Sequence, residues 1–209
     1  MPEPMTSAPL RTNENSFLQR LKTATAPHHA ALEAQLLLQV LMSLDVSRKQ
    51  YRKYLVRMQR ISQAYERTIL PLLAASFAPK QPSSELMEED LCKFPIDDEN
   101  LHPLPGFAFP QNSTLPFAWG VAYVMEGSKL GGHVIYKHLK KILAINEDNG
   151  GAYLANKGAD TGAEWKEFLQ NLSDYTKAHC CEEEVISGAI SGFASIHHYL
   201  EANGERHDN

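Results

Sequence analysis

Apolar side chains in this chain recur every three or four residues, the spacing that gathers one face of an α-helix. From Ser16 the positions Phe17, Leu18, Leu21, Ala24, Thr25, Leu32, Leu36 and Val40 keep that rhythm, with Asn15 or Ser16 able to cap the start. Pro27 interrupts it. A proline removes one helix amide and biases the residue before it out of the helix, at a cost of about 3 kcal/mol in a helix interior. A kink or restart is therefore expected at Ala26-Pro27, with His28 and His29 in the first turn beyond it. Ser47 and Gln50 have the spacing of a capping box, and Tyr51, Tyr54, Leu55, Met58, Ile61, Tyr65, Ile69 and Leu72 then trace one face. This predicts the longest uninterrupted helix, with its tyrosines and methionine in the core.

Pro79 and Pro82 end that segment, and Ser83 or Ser84 can cap a short helix through Leu91 whose Glu85, Glu88, Glu89 and Asp90 read as a solvated acidic face. Four prolines between Phe94 and Pro110 predict a loop. Ser113 or Thr114 then caps a helix with Pro116 in its first turn, where proline is tolerated, running to about Leu143. Asn149-Gly150-Gly151 and Lys157-Gly158 break the chain again. Thr161 and Glu164 suggest another capping box ahead of inward-facing Trp165, Phe168, Leu169 and Leu172. The last helix carries Val185, Ile186, Ala189, Ile190, Phe193, Ile196, Tyr199 and Leu200 and stops at Asn203-Gly204. No alternation of period two appears. The expectation is an all-α, single-domain bundle of about seven to eight helices over residues 15–203, with 1–14 a disordered tail and 204–209 a C-terminal tail.

The helix from Leu115 breaks a rule, because Gly120, Gly127, Gly131 and Gly132 each cost about 1 kcal/mol relative to alanine and should loosen or kink it. At about 100° per residue, Gly120, Gly127 and Gly131 fall within roughly 40° of one another, on a stripe shared with Val124 and next to Tyr123. A stripe without side chains admits either a neighbouring helix at close range or a flat ligand.

Bulk properties narrow the classes. At 209 residues and 43% hydrophobic content the chain can bury one sizeable core. A net charge of -5 gives no basic footprint for nucleic acid. The Met-Pro-Glu-Pro start does not read as a secretory signal, no apolar run is long enough to span a bilayer, and a cytoplasmic location is expected. The three cysteines include the adjacent pair Cys180-Cys181, which favours reduced thiols.

Of nine histidines, His102 lies in the proline-rich loop and His207 in the C-terminal tail, where solvated readings suffice. His29 differs: Glu33 stands four residues on, so a carboxylate can reach the imidazole and fix its tautomer, as behind metal-bound histidines. Lys22, seven residues back, falls on roughly the same side if the helix is only kinked. His28 points roughly 100° away and has Leu32 where a carboxylate would be needed.

Together these two signals are specific. Leu21 to Glu33 resembles the N-terminal motif of the heme oxygenase family, Ala-Thr-x-x-x-His followed by a carboxylate, and Tyr123-Val-Met-Glu-Gly-Ser-Lys-Leu-Gly-Gly132 resembles the distal-helix motif of its bacterial, biliverdin-producing branch. Weaker likeness extends over Trp165 to Phe168 and Gly188 to Phe193. The resemblance implies His29 as proximal ligand to heme iron, Glu33 orienting it, Lys22 and Tyr123 holding propionates, and Gly127 and Gly131 as distal backbone. Ser128 stands where mammalian members carry an aspartate that organises active-site water, so His133 and backbone carbonyls become candidates for that task. The implied activity is cleavage of heme to biliverdin, carbon monoxide and ferrous iron. It takes dioxygen and electrons from a separate ferredoxin, flavodoxin or reductase, since no Gly-x-Gly-x-x-Gly motif is present.

Two alternatives stand beside it. One is a non-catalytic heme-binding storage or sensor protein. The other, a dinuclear carboxylate site, needs two Glu-x-x-His motifs, and the chain has one, at Glu99 to His102 in the proline-rich loop.

Overall fold

The computed structural model describes residues 14–79, 81–94, 104–110, 114–156 and 160–203. Among them every regular element is a helix: α1 (Glu14–Glu33), α2 (Leu36–Leu41), α3 (Arg48–Thr68), α4 (Leu70–Leu73), α5 (Ser83–Leu91), α6 (Leu115–Leu143), α7 (Ala152–Ala155), α8 (Thr161–His179) and α9 (Glu182–Ala202). Of the expected tail at 1–14, residues 1–13 lie outside the described residues, as do 204–209 and Glu99 to His102, while Glu14 begins α1. The all-α expectation is met. The three elements of six residues or fewer, α2, α4 and α7, are too short for periodicity to separate from their neighbours.

Several local expectations are corrected. Pro27 does not restart α1; one helix runs through it. The Leu32, Leu36, Val40 spacing does not mark one helix, because the backbone turns to an extended conformation at Gln35 before α2 begins. The longest helix is α6, at 29 residues against 21 for α3. Its glycine cost is offset by packing, since Ala118, Trp119, Val121 and Ala122 are fully buried. Neither Ser83 nor Ser84 caps α5; Pro82 holds that position, and the amide of Ser84 donates to Glu66 at 2.9 Å. The Thr161 box gives way to Asp160, whose side chain accepts from the amides of Gly162 and Ala163. By contrast the Ser47–Gln50 box and the Thr114 cap form as read.

The acidic face of α5 is solvated only in part. Asp90 is buried and accepts from the amides of Ala152 at 2.8 Å and Tyr153 at 2.9 Å, capping α7 from another element. A buried carboxylate is tolerable because two orphan helix amides hydrogen-bond to it. A second buried carboxylate, Glu126, accepts from the Tyr65 hydroxyl at 3.1 Å and pairs with Lys129 at 2.7 Å.

Three helices set the frame. Arg20 of α1 pairs with Glu182 and Glu183 at the start of α9, and His29 lies 5.8 Å from Phe193 further along it. Phe117 of α6 meets Gly188, and Val121 and Val124 meet Gly192. Thus α1, α6 and α9 run in one direction, with α9 beneath the other two.

Candidate heme site

The glycine stripe divides into three environments. At Gly120 a Cβ would lie 2.1 Å from the carbonyl oxygen of Val185, and at Gly188 it would lie 2.2 Å from that of Phe117, so this end is a tight crossing of α6 and α9. At Gly127 it would meet the Trp165 ring at 3.2 Å. At Gly131 it would meet nothing within 4 Å. The close-crossing reading is therefore realised at Gly120, and the helix is open at Gly131. Leu130, 39% exposed, and Val134, 58% exposed, add apolar surface around the open stretch.

On α1 the Thr25 hydroxyl donates to the carbonyl of Leu21 at 2.8 Å and also lies 3.3 Å from that of Lys22, and the Tyr123 phenol of α6 comes near it. Burial pushes the Tyr123 phenol up, and the Thr25 bond offsets part of that. Lys22 is exposed on α1, three residues before Thr25, and Tyr123 is half-buried on α6. One turn further, α1 presents His29 and α6 presents Gly127; Gly131 follows a turn later. On this count His29 falls level with Gly127, a turn short of the open backbone at Gly131. Phe193 of α9 makes an edge-on ring contact with His29. Beyond, α2 returns to α6, where a ring nitrogen of His138 lies 2.8 Å from the carbonyl oxygen of Ser43.

Glu33 Oε2 lies 3.4 Å from His29 Nδ1, the pairing the spacing predicts, and both side chains are exposed. That leaves Nε2 as the nitrogen available to a metal. His28 is half-buried. The Ser128 hydroxyl donates to the Met125 carbonyl at 2.7 Å, so it is engaged by its own helix. His133 is exposed, 6.2 Å from the Tyr136 ring. Among the described residues no cluster of three His, Cys, Asp or Glu side chains could hold a metal, which removes the dinuclear carboxylate reading there. A single histidine with a backing carboxylate needs a metal that brings its own equatorial ligands.

The sequence model of the heme oxygenase family matches residues 15–202. This chain belongs to the heme oxygenase family. A heme oxygenase from Xanthomonas campestris pv. campestris is 30% identical over 103 residues, which take in 48% of this chain and 59% of that protein, so the matched stretch spans under two thirds of that relative. Among solved structures, the NO- and CO-bound heme oxygenase from Neisseria meningitidis is similar at 26% identity and a TM-score of 0.64, covering 92% of this chain and 94% of that one. A heme oxygenase from the cyanobacterium Synechocystis, solved with heme, shares the fold at 18% identity and a TM-score of 0.69, over 90% and 93% of the two chains.

The residues present fit a heme. An imidazole with a carboxylate beside one nitrogen, an α6 backbone that is open at Gly131 and exposed apolar side chains on that helix are compatible with a flat apolar disc with iron at its centre. Sequence reasoning placed Thr25 in the N-terminal motif and Trp165 facing inward, but did not connect Thr25 with Tyr123 or Trp165 with Gly127. For Thr25 the available signal was a polar residue on the buried face of an amphipathic helix.

Proposed function

We propose that this protein is a heme oxygenase that cleaves heme to biliverdin, carbon monoxide and ferrous iron, with dioxygen and with electrons from a separate ferredoxin, flavodoxin or reductase. What supports the reading is the match of the family model over residues 15–202, together with the His29–Glu33 pair on α1 and an α6 backbone open at Gly131.

In this reading heme supplies the iron that activates dioxygen and is itself the molecule oxidised. His29 Nε2 binds the iron from the α1 side. Glu33 accepts from Nδ1 and fixes the orientation of the imidazole. A neutral histidine donates less electron density than a thiolate, which suits oxidation of the ring over the chemistry of thiolate-ligated hemes. Lys22 and Tyr123 hold the propionates and set how the disc turns in its plane. On the opposite side Gly131, with Gly127 behind it, keeps the wall low, so that backbone atoms approach the reacting edge and bulk solvent is limited. With Ser128 engaged by Met125, water there is ordered by backbone groups and His133. A glycine-bearing helix with an exposed flank opens at modest cost for product release.

Among the described residues no helix is long and apolar enough to cross a membrane, and we place the protein in the cytoplasm, in keeping with its free thiols at Cys92, Cys180 and Cys181.

The test is an absorption titration with hemin, then a competent electron donor in air. Formation of a one-to-one complex that decays to biliverdin is expected. Heme that binds and only cycles between oxidation states would make this a storage or sensor protein, and absence of binding would remove the site.

A further inference from the structure

Six rings touch in series from the Thr25–Tyr123 junction to the far end of α8. Centroids are 5.4 Å apart from Tyr123 to Trp165, 5.5 Å to Phe168, 5.6 Å to Trp119, 5.5 Å to Tyr175 and 4.3 Å to His179. Only the Phe168 ring separates the two indoles. The series begins beside the candidate heme site and ends in a cleft of about 760 Å³ lined by Phe17, Pro116, Tyr175, His179, Cys181 and Glu184 among others. The proposed heme chemistry uses none of the rings beyond Tyr123.

The chemistry of each stop favours one direction of travel. Trp119 is fully buried and its Nε1 has no hydrogen-bond partner among the described residues. An indole that has lost an electron becomes acidic, and with nothing to take its proton Trp119 cannot settle as a neutral radical; it can only pass the charge on. Tyr175 is half-buried at the cleft, where water can take a phenolic proton. Its neighbour Glu184 also favours positive charge arriving there.

We propose that this aromatic series carries oxidising equivalents from the heme side of α6 to Tyr175, protecting the site when a hydroperoxide meets heme without an electron donor. The proposal rests on the heme reading above. The hydroperoxide takes two electrons and two protons, giving an alcohol and water, and both electrons come from the heme. They are returned one at a time through Trp165 and Trp119 from Tyr175, whose phenol each time releases its proton to water and becomes a neutral radical. An enediol or thiol reductant in the cleft restores it by giving one electron and one proton.

The experiment uses the full chain loaded with hemin, one equivalent of an alkyl hydroperoxide, no electron donor, and a nitroso spin trap whose adducts are located by mass spectrometry. Adducts on Tyr175 are expected, suppressed by ascorbate. Tyr175→Phe should lose them and bleach its heme several-fold faster, while Trp119→Phe should shift labelling back to Trp165 and Tyr123. A wild-type protein whose heme reacts with Tyr175 unlabelled would overturn the proposal and leave the heme reading intact. Full Tyr175 labelling in Trp119→Phe would overturn the route. Since Trp119 is buried, the exposed-end variant Tyr175→Phe decides if Trp119→Phe does not fold: unchanged bleaching there refutes protection. A hemin titration without a heme band would remove both readings.

Discussion

Glu33 holds a carboxylate oxygen 3.4 Å from Nδ1 of His29, one turn away on the same face of α1. Both side chains are more than half exposed, so neither supports the core, and the pair is free to serve a ligand. His29→Ala should therefore leave stability within about 0.5 kcal/mol of wild type while abolishing normal axial ligation and turnover. Added imidazole should restore the ligand spectrum. Denaturant melts and absorption spectra check both halves; full turnover in the variant without imidazole would refute the assignment.

The glycines of α6 should respond in opposite ways. Gly120→Ala forces a methyl group to 2.1 Å from the Val185 carbonyl oxygen, a backbone atom that cannot step aside, and should cost about 3 kcal/mol or more. Gly131→Ala meets nothing and should keep or raise stability by up to about 1 kcal/mol. Gly131→Leu should fold yet bind hemin more weakly or block oxygen. Thermal melts and hemin titration of the three variants separate helix crossing from ligand wall, and unchanged heme kinetics in Gly131→Leu would take Gly131 out of the site.

The Glu126–Lys129 pair is buried with Tyr65 on the carboxylate. Lys129→Met would strand the charge and should cost about 3–5 kcal/mol, whereas Lys129→Met with Glu126→Gln should regain much of it. A double-mutant cycle by urea unfolding measures the difference.

Burial pushes the Tyr153 phenol up to about 12, with Tyr54 donating a bond that partly lowers it. The folded state thus favours the neutral phenol more than the unfolded chain does. The associated stability is complete below pH 10 and is lost as pH rises from 10 through about 12, on the order of 2–3 kcal/mol. Tyr153→Phe should flatten that fall in a series of melts at alkaline pH.

Periodicity alone determined the all-α class and the position of the long helices, because a buried helix face must repeat at the helix period wherever it packs. Local signals closed on themselves at Ser47–Gln50 and at Thr114, where donor and acceptor lie within one turn of chain. The His29–Glu33 pair was legible for the same reason: four residues on a helix is a contact. Tertiary structure decided what depends on residues distant in sequence. Asp90 is buried because Ala152 and Tyr153 bring their amides to it, and no feature of α5 records that. Pro27 sits inside one helix, and that helix packs against α9. The glycine stripe reads the same at Gly120, Gly127 and Gly131 in sequence; only the placement of α9, α8 and open space against them made one a crossing, one a seat for Trp165 and one an open stretch of helix.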